Sequence, residues 1–195
     1  NFFTVRDILK DYDVEVIRFF LLSGHYRSPI NFSRELMDQS KNALARMQNA
    51  NDNLKHLAEH GAGSMSEAEA ELFEGLAKYR EKFIAAMDDD LNTADAISAV
   101  FELIKEINTA AKDGVSEEFA RKCLELLDEL TGVLGLLREN EEESGIDDEI
   151  QQLVDERQAA RKAKNFARAD EIRDILKARG ITLEDTPQGI RIVKA

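Results

Sequence analysis

Apolar residues recur at spacings of three, four and seven through most of the chain, which is the pattern of amphipathic α-helices. The longest stripes lie in four segments, each beginning after a good capping residue: Ser33, Ser66, Asn92 or Thr93, and Ser116. Glu69 follows Ser66 in the S-x-x-E pattern of a capping box. Four amphipathic helices joined by short loops bury their stripes most simply as an antiparallel bundle.

Two shorter helices are predicted ahead of the bundle, capped by Thr4 and Asp13. The second contains VEVIRFFLLS, which is apolar on nearly every face, so we expect it to be buried on several sides. The following HYRSPINFS predicts a loop, because the residue before Pro29 favours extended backbone.

The pattern changes at residues 138–149, where a dense acidic run without apolar periodicity predicts a flexible linker. A helix is predicted from Ile150, and Asn165 is placed to end it and to cap another that finishes at Gly180. ITLE and IRIV flank the turn DTPQG and predict a β-hairpin.

These elements predict a mainly α protein in which an antiparallel helical bundle is followed by a small α+β domain of two helices and a β-hairpin. We expect three regions: 1–32, 33–140 as the bundle domain, and 141–195 as the linker with the small domain.

The charge is distributed unevenly along the 195 residues, whose formal net charge is −13. Residues 51–146 carry 9 basic and 23 acidic side chains, a net of −14, whereas residues 157–179 carry 8 basic and 3 acidic, a net of +5. A polyanion is therefore repelled by the middle of the chain and attracted to its tail.

Other candidate chemistry is sparse. The single cysteine, Cys123, lies in an apolar stripe and is expected in the core, and one cysteine cannot form a disulfide framework. The consecutive carboxylates Asp88, Asp89 and Asp90 suggest a metal, but adjacent helical residues point about 100° apart. Placement just before a helix start explains them better.

Two segments suggest contact with nucleic acid. A loop containing His25, Tyr26 and Arg27 can reach a phosphate or a ribose, although a solvated loop is the preferred explanation. In RKAKNFARADEIR (161–173), Phe166 lies among cations, which suits stacking on single-stranded RNA at about 1–3 kcal/mol per base. The alternative is that Phe166 packs between two helices and the charges are solvated.

Several stretches, in order, resemble the cysteinyl-tRNA synthetase family over about residues 1 to 195. They are NFFTVRDILKDYD, FFLLSGHYRSPINFS, FIAAMDDDLNTADAISAVFELIKEIN and GITLEDTPQG. The first resembles the segment directly after that family's KMSKS loop, and the chain does not begin with Met. The resemblance therefore implies a fragment of a longer class I synthetase.

The resemblance implies a role for each region. Residues 1–32 would be a remnant of the stem-contact fold, the bundle would lie along the tRNA elbow, and the last domain would bind the anticodon. ATP and zinc are implied for the full-length enzyme, a cysteine–tRNA ligase, but none for this fragment, which we expect to be inactive alone.

Carried over position by position, the family's anticodon readers fall on Arg161, Phe166, Asp170, Arg173 and Asp185. Further contacts with the tRNA backbone are expected at Arg157, Lys162, Lys164, Arg168 and Arg27. Relatives often carry Trp at the position of Phe166, so stacking survives here without an indole N–H. Many also carry a Trp near Ile190, so this chain lacks that ring on its last strand.

We expect tRNA(Cys), with its GCA anticodon, as the partner of a cytoplasmic monomer that binds neither DNA nor a membrane. Two alternatives stay open at this stage. One is the paralogous ligase that joins cysteine to an amino-sugar, which is expected to lack the final domain. The other is a UVR-like helical hairpin that binds protein, in which the final β-hairpin is not expected.

Overall fold

The structure is a computed structural model, and it describes residues 4–112, 114–138, 141–163, 165–186 and 189–194. The chain divides into two compact units, residues 1–137 and 138–195. The helices of the first unit are α1 (Val5–Ile8), α2 (Val14–Leu22), α3 (Arg34–His60), α4 (Glu67–Asp88), α5 (Thr93–Ala111) and α6 (Glu117–Leu134). The second contains α7 (Glu141–Lys162), α8 (Phe166–Ala178), β1 (Ile181–Thr186) and β2 (Gly189–Lys194). The predicted mainly α fold is confirmed.

The first unit is a helical bundle in which consecutive long helices run in opposite directions. The end of α3 meets the start of α6, where the Glu118 amide donates to the Gly63 carbonyl at 3.4 Å. The starts of α4 and α6 lie together, where the Ser116 amide donates to Glu69 Oε1 at 2.7 Å, so those two helices run parallel. Between α4 and α5, Tyr79 donates to Glu106 at 2.6 Å and Lys82 pairs with Glu102, as expected for antiparallel neighbours.

The bundle core is formed by the apolar stripes that the periodicity predicts. Fully buried side chains come from each long helix and include Met37, Leu44, Met47, Leu54, Leu76, Leu103, Ile107, Phe119, Leu127 and Leu130. From α2, Phe19 and Phe20 join this core. Cys123 is completely buried, which confirms its predicted core position, and burial raises the pKa of its thiol to about 12.

The helix starts follow local chemistry. The side chains of Ser33, Ser66 and Ser116 each accept a backbone N–H three residues on, and Ser66 forms the predicted capping box with Glu69. Of the two candidates at the start of α5, the cap is Asn92. These contacts give hydrogen-bond acceptors to backbone amides of the first turn, which have no partner in an uncapped helix.

The second unit has its own small core, formed by Ile150, Val154, Ile172, Leu176 and Ile181. The predicted hairpin is present as an antiparallel pair in which Ile181 lies opposite Lys194 and Thr186 opposite Gly189. Gly180, with φ 75°, occupies the left-handed position after α8 that favours glycine.

The predicted linker at 138–149 is wrong for most of its length, because α7 begins at Glu141 rather than near Ile150. The acidic run belongs to the first turns of this helix. Glutamate is a good helix former, and negative charge is favoured at a helix N-terminus.

Candidate RNA interface

The chain reverses direction between α7 and α8 at Asn165. Its amide donates to the Ala160 carbonyl at 2.8 Å, and its side chain accepts from the Arg168 amide at 3.3 Å. The same residue therefore closes one helix and caps the next, as the sequence predicts. Lys164 lies outside the described residues.

Phe166 is the first residue of α8, and 62% of its surface is exposed. By contrast, Ala169, Ile172 and Leu176 of the same helix are buried. The ring is therefore available to a partner.

Asp170 and Arg173 follow Phe166 at spacings of four and three, so the three side chains lie on one face of α8. We call this set the α8 face. At 1.5 Å per residue it extends over about 10 Å. Asp170 Oδ1 and Arg173 Nη1 are 3.2 Å apart, and both side chains are more than half exposed. A ring, an acceptor and a donor are thus presented side by side.

The basic residues of α7 are placed less uniformly. Arg161 and Lys162 lie exposed in the last turn. Arg157 lies three residues from Val154 and from Ala160, so it shares their buried face of α7. Its Nε and Nη1 atoms are buried without a hydrogen-bond partner.

Arg168 is held by two carboxylates. Its Nε donates to Glu156 Oε1 at 2.9 Å, and its Nη1 donates to Glu171 Oε2 at 2.7 Å. The contact with Glu156, reinforced by the one with Glu171, raises the pKa of this guanidinium above its already high value. Arg168 is therefore occupied by protein partners.

Asp185 lies in β1 and pairs with Ile190 across the hairpin. Its side chain lies outside the described part of the chain. The structure thus brings Phe166, Asp170 and Arg173 to one face, while the site roles of these residues, of Arg161 and of Asp185 stay predictions.

Arg27 lies in the first unit, where Asp90 binds it. Arg27 Nη1 is 3.1 Å from Asp90 Oδ2, and the Tyr26 hydroxyl donates to Asp90 Oδ1 at 2.9 Å. This hydrogen bond to Asp90 is the main reason why the pKa of Tyr26 is raised. One carboxylate of the triple-Asp run thus ties the loop at 25–27 to the turn between α4 and α5.

Sequence reasoning missed the ion pairs at the interface. The Asp170–Arg173 pair was detectable, because acidic and basic residues three apart on a helix are neighbours. The Glu156–Arg168 pair joins different helices, and no local pattern signals it.

In the described ranges, no three His, Cys, Asp or Glu side chains come together in a way that could hold a metal ion. Over the same residues, no helix combines the length and the apolar character that crossing a membrane requires.

Three family models match the chain in succession. Residues 1–42 match the tRNA synthetases class I (C) catalytic domain, residues 82–138 match the DALR domain, and residues 143–192 match the cysteinyl-tRNA ligase anticodon binding domain.

Two curated relatives are similar over nearly the whole chain. The chain is 52% identical to a cysteine–tRNA ligase of Symbiobacterium thermophilum over 98% of its length, and 50% identical to one of Lachnospira eligens over 100%. It spans 41% of the length of each of these relatives.

Proposed function

Because the chain belongs to the cysteine–tRNA ligase family and corresponds to the carboxy-terminal part of those enzymes, we propose that it binds tRNA(Cys) and recognises the GCA anticodon. The observation that carries the proposal is the exposed ring of Phe166 at the start of a helix whose next turns present Asp170 and Arg173. The match of residues 143–192 to an anticodon binding domain supports the same assignment.

The side chains of the proposed site fall into three kinds: a stacking ring, groups that bind base edges, and cations that bind phosphates. Phe166 stacks on an unstacked loop base, and sequence-specific RNA binding commonly relies on such aromatic contacts. Asp170 and Asp185 accept hydrogen bonds from base amino groups, while Arg161 and Arg173 donate to base oxygens and ring nitrogens. Arg157, Lys162, Lys164 and Arg27 serve the phosphate backbone, to which cations give sequence-independent affinity.

The three regions divide the work on one tRNA. In this proposal residues 1–32 belong to the stem-contact fold, residues 33–140 lie along the elbow, and residues 141–195 bind the anticodon. The net charge of −14 over residues 51–146 weakens the binding of other nucleic acids. The arrangement lets one chain read features far apart on its RNA.

In the whole enzyme, we propose, these regions hold tRNA(Cys) while a catalytic domain attaches cysteine with ATP and zinc. We also propose that the protein is a cytoplasmic monomer. Its single buried cysteine suits a reducing compartment.

A binding experiment tests the proposal. The chain is titrated with tRNA(Cys) and with the same tRNA carrying an altered anticodon, at one fixed salt concentration. We expect clearly tighter binding to the GCA form. Arg161→Ala and Asp185→Ala should each weaken cognate binding by about 1–3 kcal/mol, the scale of one specific base contact.

Lys177→Ala is a control for the loss of one positive charge, because this exposed cation lies in the last turn of α8, one turn beyond Arg173, and is not among the proposed base contacts. It should weaken cognate and altered tRNA equally. Equal affinity of the wild-type chain for both tRNAs would contradict the proposal that it recognises the anticodon. Absence of any tRNA binding would favour the UVR-like protein-interaction module or the amino-sugar ligase instead.

A further inference from the structure

Arg168 is the most strongly neutralised of the cations near the α8 face whose ion pairs are described. It lies between Glu156 and Glu171, and its side chain is 37% exposed, against 57% for Arg173. Arg173 also has two carboxylate neighbours, Asp170 at 3.2 Å and Asp174 at 3.8 Å, but both contacts are longer and lie within α8. Arg168 differs because its contact with Glu156 joins two helices, which points to a structural purpose.

The contact between Glu156 and Arg168 joins α7 to α8 close to the point where the chain reverses. Arg168 is the third residue of α8, and its amide also donates to the capping side chain of Asn165. Phe166 lies two residues earlier in the same turn. The turn that carries the exposed ring is thus fixed by its cap and by an ion pair to the neighbouring helix.

We propose that Arg168 is a positioning residue: its ion pair with Glu156 holds the first turn of α8 so that the Phe166 ring is presented to an RNA base. This inference rests on the proposed anticodon-binding function. It gives Arg168 a different role from the phosphate contact that the sequence predicts for it.

The two roles predict opposite effects of removing Glu156. If Arg168 binds phosphate, Glu156→Gln removes a repulsive charge and frees the guanidinium, so RNA binding strengthens and becomes more sensitive to salt. If Arg168 positions the ring, the same change weakens RNA binding although a negative charge has gone. Glu171→Gln removes an equal charge within α8 and leaves the link to α7 intact.

The experiment uses the full chain with Phe166→Trp, which supplies the only tryptophan because the sequence contains none. The anisotropy of this tryptophan without RNA reports how firmly the first turn of α8 is held. Its quenching by an RNA hairpin with a GCA loop reports stacking and affinity. Both are measured for Glu156→Gln, Arg168→Gln, the double variant and Glu171→Gln over a salt series.

We expect Glu156→Gln and Arg168→Gln to lower the anisotropy and to weaken hairpin binding by about two- to fivefold, the scale of one exposed ion pair. The salt dependence of hairpin binding should be the same in these variants as in the Phe166→Trp parent. The double variant should bind no more weakly than Arg168→Gln alone, because the contact between Glu156 and Arg168 is already lost in that single variant. Glu171→Gln should keep the anisotropy and the affinity. Helical circular dichroism checks that every variant is folded.

Stronger binding or a steeper salt dependence for Glu156→Gln would overturn the inference, and so would an unchanged anisotropy. Failure of the proposed function looks different. In that case the parent chain shows no quenching by the hairpin, or the same quenching with a scrambled loop, whatever the ion pair does to the anisotropy.

Discussion

The side chain of Glu69 joins the start of α4 to the start of α6. Its Oε2 accepts from the amide and the hydroxyl of Ser66 at 2.8 and 2.9 Å, and its Oε1 accepts from the Ser116 amide at 2.7 Å. Glu69 therefore caps its own helix and supplies a partner to the capping residue of another. We predict that Glu69→Ala destabilises the bundle more than any ordinary surface substitution.

The size of the effect follows from these contacts. Loss of a capping interaction costs about 1 kcal/mol. The Ser116 amide is partly buried and loses an ionised acceptor, which adds about 1–2 kcal/mol. Glu69→Ala should thus lower the free energy of unfolding of the bundle by about 2–3 kcal/mol. Glu69→Gln keeps one acceptor oxygen, so we expect about half of that loss.

The pH dependence of the unfolding free energy is a second test of the contribution of Glu69. Partial burial raises the pKa of Glu69, but hydrogen bonds from Ser116 and Ser66 outweigh it and leave the pKa below the ordinary 4.5. A carboxylate with a lowered pKa stabilises the folded state above its unfolded pKa, and this contribution is lost as the pH falls through the folded value. The stability difference between wild type and Glu69→Gln should therefore be constant near neutral pH and shrink below pH 4.5.

The assay is urea unfolding followed by circular dichroism, with hydrogen exchange at the Ser116 amide as a local probe. Glu67→Ala is the matched control, because Glu67 is an exposed glutamate in the same first turn of α4. It should change stability by less than about 0.5 kcal/mol. Equal unfolding energies for Glu69→Ala and Glu67→Ala would refute the reasoning, as would unchanged exchange at Ser116.

Two further predictions concern the first unit. Cys123, fully buried with a pKa of about 12, should react with a thiol reagent at pH 8 only after unfolding by denaturant. Fast labelling of the folded protein would contradict its burial. Asp90→Asn should lower the pKa of Tyr26 toward its ordinary 10.0, because the charged acceptor is lost. Ultraviolet titration of phenolate measures this, with Asp89→Asn as the control, and an unchanged titration would contradict the Tyr26–Asp90 contact.

The helix starts were predictable because their chemistry is local. A capping side chain accepts a hydrogen bond from a backbone amide two or three residues away. The sequence around each capping residue is therefore enough to predict the helix start, as at Ser33, Ser66, Asn92 and Ser116. The start of α7 was not predicted, since an acidic run without apolar residues suits a solvated linker as well as a helix terminus.

The interface was predictable only in part. Helical spacing places Phe166, Asp170 and Arg173 on one face, and the structure has them in one helix with the ring exposed. Whether Phe166 packs inside or points outward depends on tertiary contacts, which spacing does not contain. The same holds for the ion pair between Arg168 and Glu156 and for the burial of the Nε and Nη1 atoms of Arg157.

The central claim is that Phe166 stacks on a base of the anticodon loop. An RNA hairpin with fluorescent 2-aminopurine substituted in turn at each loop position measures this contact directly. We predict that at one position the wild-type chain changes the fluorescence, that Phe166→Trp does so too, and that Phe166→Ala binds at higher concentration without the change. The same fluorescence change with Phe166→Ala as with the wild type, at every position, would contradict the account.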